Sequence, residues 1–188
     1  MNEIQIPVHT EKEYLVHIGT HLLEQTGSLL AELKAPCKVC IVSDSNVAPL
    51  YLDTVSRSLS EAGFTCCHSV FPAGEQSKNL AIYGDLLEQL AEFHLSRSDL
   101  LIALGGGVVG DLTGFAAATY NRGIDLVQIA TSGLAAIDSS VGGKTAVDLH
   151  AGKNLVGAFK QPLAVLCDLL TFRTLPLEFR EDALGECI

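Results

Sequence analysis

The chain is short of positive charge: 12 Lys and Arg stand against 22 Asp and Glu, a formal net charge of −10 in 188 residues. That balance excludes general nucleic-acid binding, which relies on Lys and Arg to neutralise phosphates. Charged residues of both signs make up only 18%, too few for a disordered chain, while 48% apolar content allows a sizeable buried core. Long apolar runs are missing as well. The longest uncharged stretches, such as Leu126 to Ile137, fall well short of a membrane span. The start, Met1 to Pro7, is short and mixed, unlike a secretory leader. A soluble, cytoplasmic protein with neither membrane nor nucleic-acid partners is expected.

Complete metal motifs are also lacking. There is no H-E-x-x-H, and the single C-x-x-C, Cys37 to Cys40, has no second copy with which to build a zinc site. Val39-Cys40-Ile41-Val42 reads as a strand, on which positions three apart face opposite ways, so Cys37 and Cys40 are poorly placed to share a ligand. Adjacent Cys66 and Cys67 point apart for the same reason. The six cysteines are expected to be reduced thiols, and the isolated histidines to be surface or core residues.

What is present is an alternation. Extended pieces at Ile4 to His9 and Tyr14 to Ile18 precede a helix over Leu22 to Leu33. Then follow a strand at Lys38 to Ser43, a helix from Val47 to Ala62 closed by Gly63, and a strand at Thr65 to Phe71. A helix at Asn79 to His94 comes next, with Leu80, Tyr83, Leu86, Leu87 and Leu90 at helical spacing. Leu100 to Leu104 is a continuous apolar run, as expected of a parallel strand covered on both faces. A helix at Val109 to Tyr120 and strands at Leu126 to Ile129 and Ala164 to Cys167 complete the series. Alternating strands and helices predict an α/β fold: a Rossmann-like, doubly wound, mainly parallel sheet. A last helix starts near Leu177 and is still running at Ile188, so the chain reads as a cut through a longer protein.

Three segments carry chemistry. Gly105-Gly106-Gly107-Val108-Val109-Gly110 fits G-x-G-x-x-G between a strand and a helix, the setting in which that motif binds a dinucleotide or phosphate. Glycines let the backbone turn sharply and approach a pyrophosphate. The loop follows about the third strand of the alternating series, unlike the first-unit position in ordinary dehydrogenases. Asp125, at the usual spacing for the ribose acid, begins the next strand and so lies at the wrong end. Asp44, just past Ser43 and next to Asn46, is the better ribose acid; capping the following helix is an equally open role.

Asp138-Ser139-Ser140-Val141-Gly142-Gly143-Lys144-Thr145 is a second candidate anion loop, with Gly152-Lys153-Asn154 nearby. A Walker loop would need glycine where Asp138 stands, so a triphosphate site is rejected. Between Leu126 and Cys167, Lys144, Lys153 and Lys160 outnumber Asp138 and Asp148, giving a local charge of +1 inside an acidic chain. Pro72 to Lys78 is a polar turn placed on the crevice side of its strand; a turn and helix start is the blander alternative.

In their order these segments resemble the 3-dehydroquinate synthase family: Ser43-Asp44-Ser45-Asn46, Pro72 to Lys78, Gly105 to Asp111 running on to Ala117, Asp138 to Thr145, Gly152-Lys153-Asn154, and Thr171 to Pro176. The resemblance covers nearly the whole chain, and Asp138 to Thr145 is its most specific part. It implies that Asp44, Asn46, Glu75, Lys78, Gly105, Gly106, Gly107, Val108, Val109 and Asp111 hold NAD. Thr131 and Ser132 would stand near the nicotinamide, and Thr171, Phe172, Arg173 and Thr174 would close on the cofactor. Asp138, Lys144, Lys153 and Asn154 would line the junction of cofactor and substrate as catalytic residues, all but Asn154 also touching cofactor. Glu186 would be one of three zinc (or cobalt) ligands, the two histidines lying beyond this sequence in an α-helical C-terminal domain. Residues 1–176 would form the NAD-binding domain, and 177–188 the start of the first helix of that second domain.

The resemblance further implies a phosphate-eliminating cyclase of the shikimate pathway, leading to the aromatic amino acids. It converts 3-deoxy-D-arabino-heptulosonate 7-phosphate, a sugar phosphate, to 3-dehydroquinate. Hydride leaves C5, phosphate is eliminated, hydride returns, and an internal aldol step closes the ring, with the metal as Lewis acid. A homodimer is implied, and a 188-residue piece that binds NAD without turnover. Ala130-Thr131-Ser132-Gly133-Leu134 departs from the family's proline, two threonines and two leucines, which should loosen that turn. A sister sugar-phosphate cyclase, an NAD-dependent polyol dehydrogenase of similar architecture and a non-catalytic nucleotide-binding module remain alternatives.

Overall fold

The computed structural model describes residues 3–10 and 13–177, so the expectations for 178–188, Glu186 among them, lie outside the described residues. Nine strands and four α-helices are found there. They are β1 (Ile4–Val8), β2 (Tyr14–Gly19), α1 (Leu22–Leu33), β3 (Lys38–Asp44), α2 (Ala48–Glu61), β4 (Thr65–Phe71), α3 (Leu80–Glu92), β5 (Leu100–Gly105), α4 (Gly107–Thr119), β6 (Asp125–Ala130), β7 (Lys144–Leu149), β8 (Gly152–Phe159) and β9 (Ala164–Asp168).

Seven strands form one sheet in the order β1-β2-β9-β6-β5-β3-β4, parallel throughout except for the β1–β2 hairpin at one edge. The central strands β3, β5, β6 and β9 are buried on both faces, which is why they read as unbroken apolar runs rather than alternating ones. One face packs Cys40, Val42, Leu101 and Leu126 under α3 and α4. The other packs Val39, Ile41, Leu100 and Val127 under α1 and α2. The fold is therefore the expected doubly wound α/β sheet. Cys37 and Cys40 lie on opposite faces, as do Cys66 and Cys67.

After β3 the chain runs outward to β4, then crosses back to place β5 on the other side of β3. At such a reversal the connections leave in opposite directions and open a crevice above the carboxyl ends of the two strands. Asp44 ends β3 and Gly105 ends β5, so sheet topology alone brings both to the crevice.

The described structure departs from the sequence expectations in four places. α4 begins at Gly107, two residues before the expected Val109, because Gly106 is its N-cap and Gly107 already takes the helical conformation. Residues 144–159 form an antiparallel hairpin, β7–β8, apart from the main sheet. Lys153 and Asn154 thus lie on a strand, not on a glycine-turn loop. Residues Ala135–Ser139 form a short π-helical turn. Gly133 is helical and buried, and the turn expected to be loose is capped: Ser132 Oγ accepts the Ala135 N–H at 3.3 Å. Among the described residues, no helix is long and apolar enough to cross a membrane.

Candidate functional site

The glycine loop holds its place because a helix N-terminus and a strand end meet with no side chain between them. A Cβ on Gly105 would lie 2.5 Å from Val109 Cγ2, within the first turn of α4. A Cβ on Gly106 would come within 3.3 Å of Ser132 Oγ, and one on Gly107 within 3.2 Å of Ser139 Oγ. Gly105 is buried, whereas Gly106 and Gly107 are half-buried and line a cleft of about 290 Å³. The first turn of a helix leaves N–H groups without intrahelical partners, and α4 directs that turn at the cleft.

The same cleft brings together Asp44 and Asn46 from the end of β3, Val108 and Val109 from α4, Thr131 and Ser132 from the end of β6, and Thr174 from the segment after β9. All belong to the predicted cofactor set. Asp44 Oδ1 accepts the N–H groups of Asn46 at 2.8 Å and Val47 at 3.0 Å, so the capping alternative is real. Capping does not compete with a ligand role, because both bonds fall on one oxygen and a carboxylate has two. The Ser45 hydroxyl accepts from Ala73 N at 3.0 Å and ties the 72–74 turn to the cleft. Gly74, at φ 114°, gives that turn a backbone that L side chains rarely adopt.

Thr171, Phe172 and Arg173 are not among the residues lining this cleft. Thr171 is buried, its hydroxyl donating to the Asp168 carbonyl at 2.7 Å. Its contribution is to hold Thr174, Leu175 and Pro176, which do face the cleft.

A second, larger depression of about 570 Å³ lies beside the first. Asp111, Asp138, Ser139, Lys144 and Asn154 line it, together with the apolar residues of β7 and β8. Ser139 and α4 form the ridge between the two. Lys78 reaches this site as a buried cation: it pairs with Asp111 and donates to Asn154 Oδ1 at 2.6 Å. Burial pushes the Asp111 carboxyl above its ordinary value, and the Lys78 ammonium opposes that rise. Lys153, exposed on β8, pairs with Glu75 at 2.9 Å, and this carboxylate holds the Lys153 ammonium above its ordinary range. Glu75 and Lys78 also line a third cavity of about 740 Å³ with Asp148 and His150. Among the described residues, no three His, Cys, Asp or Glu side chains converge as a metal site.

Sequence reasoning missed two residues. Asp148 accepts the Asn154 N–H at 2.7 Å, and its own N–H donates to the Lys78 carbonyl at 2.8 Å, so it joins the hairpin to the 75–78 turn. Tyr51 lines the first cleft and bonds to the 171–174 segment. The one available signal for Asp148 was its place in the locally positive 126–167 stretch; Tyr51 gave none.

Comparison with known proteins agrees with this geometry. The family described as 3-dehydroquinate synthase N-terminal matches residues 68–181. A 3-dehydroquinate synthase of Clostridium acetobutylicum is 46% identical over 178 residues, covering 95% of this chain and 50% of that relative. The chain spans about half the length of the curated relatives it matches. Among solved structures, a 2-deoxy-scyllo-inosose synthase complexed with carbaglucose-6-phosphate, NAD+ and Co2+ superposes at a TM-score of 0.90 with 28% identity, over 98% of this chain and 50% of that one. A 2-epi-5-epi-valiolone synthase from Streptomyces hygroscopicus with NAD+ and Zn2+ bound superposes at 0.84 with 27% identity, over 96% and 50%. With a family match across more than half its length, the chain belongs to the 3-dehydroquinate synthase family, whose N-terminal region it carries.

Proposed function

We propose that residues 1–176 form the NAD-binding domain of a 3-dehydroquinate synthase that acts on the sugar phosphate 3-deoxy-D-arabino-heptulosonate 7-phosphate. One observation carries this: the glycine-opened end of α4, the Asp44 carboxylate and Thr174 converge on one crevice at the sheet's reversal point. A side chain at Gly106 or Gly107 would fill the space facing Ser132 or Ser139, and such a bare backbone fits the close approach of a diphosphate. Asp44 would hold ribose hydroxyls, and Thr131 and Ser132 would flank the nicotinamide end.

Bound there, the cofactor supplies reversible hydride transfer. The protein's own residues orient and stabilise. Lys144, in the lining of the adjoining depression, would meet oxyanion character developing on the substrate; Lys153 lies outside that lining, paired with Glu75, and would do so only by leaving that pair. Asn154, in the lining of the depression and locked to the buried Lys78, would present a fixed side chain to substrate there. Asp138 lines the same depression and would accept from substrate hydroxyls. The metal is a different case: the described residues offer it no set of ligands. Homodimerisation belongs to the same proposal.

The test is calorimetric titration of NAD+ into wild type, Asp44→Asn and Asp44→Ala. Both variants should bind about tenfold or more weakly, a loss near 1.4 kcal/mol. Only Asp44→Ala should also lower the thermal midpoint, since Asn keeps the Oδ1 acceptor for Asn46 and Val47. No heat with wild type would overturn the nucleotide reading. The 188 residues alone are expected to bind without turnover; phosphate release by this purified chain would refute that part.

A further inference from the structure

One wall of the nucleotide cleft is the front, Thr174 to Pro176, of a strap spanning residues 171–176, and Tyr51 holds it from the opposite wall. The Tyr51 hydroxyl, on the first turn of α2, lies 2.5 Å from Thr174 Oγ1 and 3.3 Å from the Thr171 carbonyl. Thr174 Oγ1 itself donates to that carbonyl at 2.9 Å. A hydroxyl has one proton to give. With one proton each, the Tyr51 and Thr174 hydroxyls share the bond between them, which either can donate, and both reach the Thr171 carbonyl, so the three groups form one short hydrogen-bonded chain. Members of such chains polarise one another.

The rear of the strap has separate anchors. Buried Asp168 accepts the N–H groups of Leu23 at 3.2 Å and Leu170 at 3.0 Å, and its carbonyl accepts the Thr171 hydroxyl. The front is held more loosely by its own backbone: Thr174 N to Thr171 O and Leu175 N to Phe172 O are both 3.3 Å. Thr174, Leu175 and Pro176 face the cleft across from Asp44, Leu50 and Tyr51.

We propose that Tyr51 is a positioning residue for the nucleotide, its hydroxyl fixing the separation between the strap and the Asp44 wall. The proposal rests on the NAD reading above. Holding both walls apart at one distance before the ligand arrives lowers the ordering cost of binding. Losing that tie then shows mainly as faster dissociation.

The experiment is titration of NAD+ into the 188-residue wild type, Tyr51→Phe, Thr174→Val, the double variant and Thr174→Ser. Dissociation is followed by stopped flow and thermal midpoints are measured in parallel. Tyr51→Phe and Thr174→Val should each bind about tenfold more weakly, dissociate faster and keep the wild-type midpoint. The double variant should lose no more than either single, and Thr174→Ser, which keeps the hydroxyl, should retain affinity. Wild-type affinity and dissociation in Tyr51→Phe would overturn the proposal and leave the nucleotide reading standing. Additive losses would also overturn it, because Tyr51 would then touch the ligand instead of acting through Thr174. A midpoint that falls in step with affinity would mark a merely structural role. If wild type takes up no NAD+, the nucleotide reading fails and the proposal goes with it.

Discussion

Asp148 Oδ1 accepts the backbone N–H of Asn154 at 2.7 Å, and Asn154 is held at φ 56°, the left-handed region. Asparagine tolerates this region better than most residues, yet it still needs local support. The Asp148 carboxylate provides that support and aims Asn154 Oδ1 at Lys78. Asp148→Ala should therefore destabilise the fold by about 1 kcal/mol, the net cost of a lost hydrogen bond whose donor is open to water. Asp148→Asn, which keeps an oxygen acceptor, should lose less than half of that. Urea unfolding of both variants checks the ordering; equal losses would mean that charge, not the acceptor, matters.

α4 lies unusually close to the β7–β8 hairpin at Gly114. A Cβ there would sit 2.3 Å from Thr145 Cγ2 and 3.1 Å from its Cβ. Thr145 cannot easily turn away, because its hydroxyl donates to the Ala158 carbonyl at 2.6 Å. Gly114→Ala should cost about 1–3 kcal/mol by overpacking. Adding Thr145→Ser removes the obstructing methyl and keeps the hydroxyl, so the pair should recover most of the loss in a denaturation experiment. A double variant no more stable than Gly114→Ala alone would place the strain elsewhere.

What could be read in the sequence followed the range of the interactions involved. The strand before Gly105 and the helix after it are local patterns, so the glycine motif could be set in its structural context. Asp44 could be assigned to the crevice because a parallel strand's carboxyl end is a matter of direction. The hairpin at 144–159 has no clear strand signature in the sequence, because β8 has no buried face: its residues are half-buried or exposed throughout, with 153–155 all exposed. The burial of Lys78 depends on Asp111 and Asn154, far along the chain, and nothing near Pro72 to Lys78 announces them. Insertion of β9 between β2 and β6 is likewise a tertiary outcome without a local mark.

Asp99 offers a pH test at the other end of the sheet. Burial alone would push its carboxyl up; N–H and O–H bonds from Ser96 and an N–H bond from Lys38 outweigh this and hold it below the ordinary value. A depressed folded value means that the unfolded chain binds the proton more readily. The stabilisation is present above the unfolded carboxylate value of about 3.9 and is lost as pH falls through the folded one. Asp99→Asn should thus be clearly less stable than wild type at pH 7, with the gap narrowing below about pH 4. Urea midpoints at both pH values give the comparison; a gap that stays constant would remove Asp99 from the acid limb.

The buried pair between Lys78 and Asp111 makes the opposite prediction. Burial raises the Asp111 carboxyl, and Lys78 is the principal group pulling it back. Lys78→Met removes that counterweight and strands a carboxylate beside apolar α4 neighbours, which should cost about 3–5 kcal/mol at neutral pH. A raised carboxyl value means that the folded state binds the proton more readily than the unfolded chain. Stability is then greatest at low pH and is lost as pH rises through the folded value. Lys78→Met should therefore lie closest to wild type in acid and fall away towards pH 8, the reverse of Asp99→Asn. Adding Asp111→Leu removes the stranded charge, so the double variant should be more stable than Lys78→Met alone and lack that variant's fall towards pH 8. If Lys78→Met instead loses the same amount at every pH, the lysine acts through its bond to Asn154, and Asp111 is not the group that makes its burial necessary.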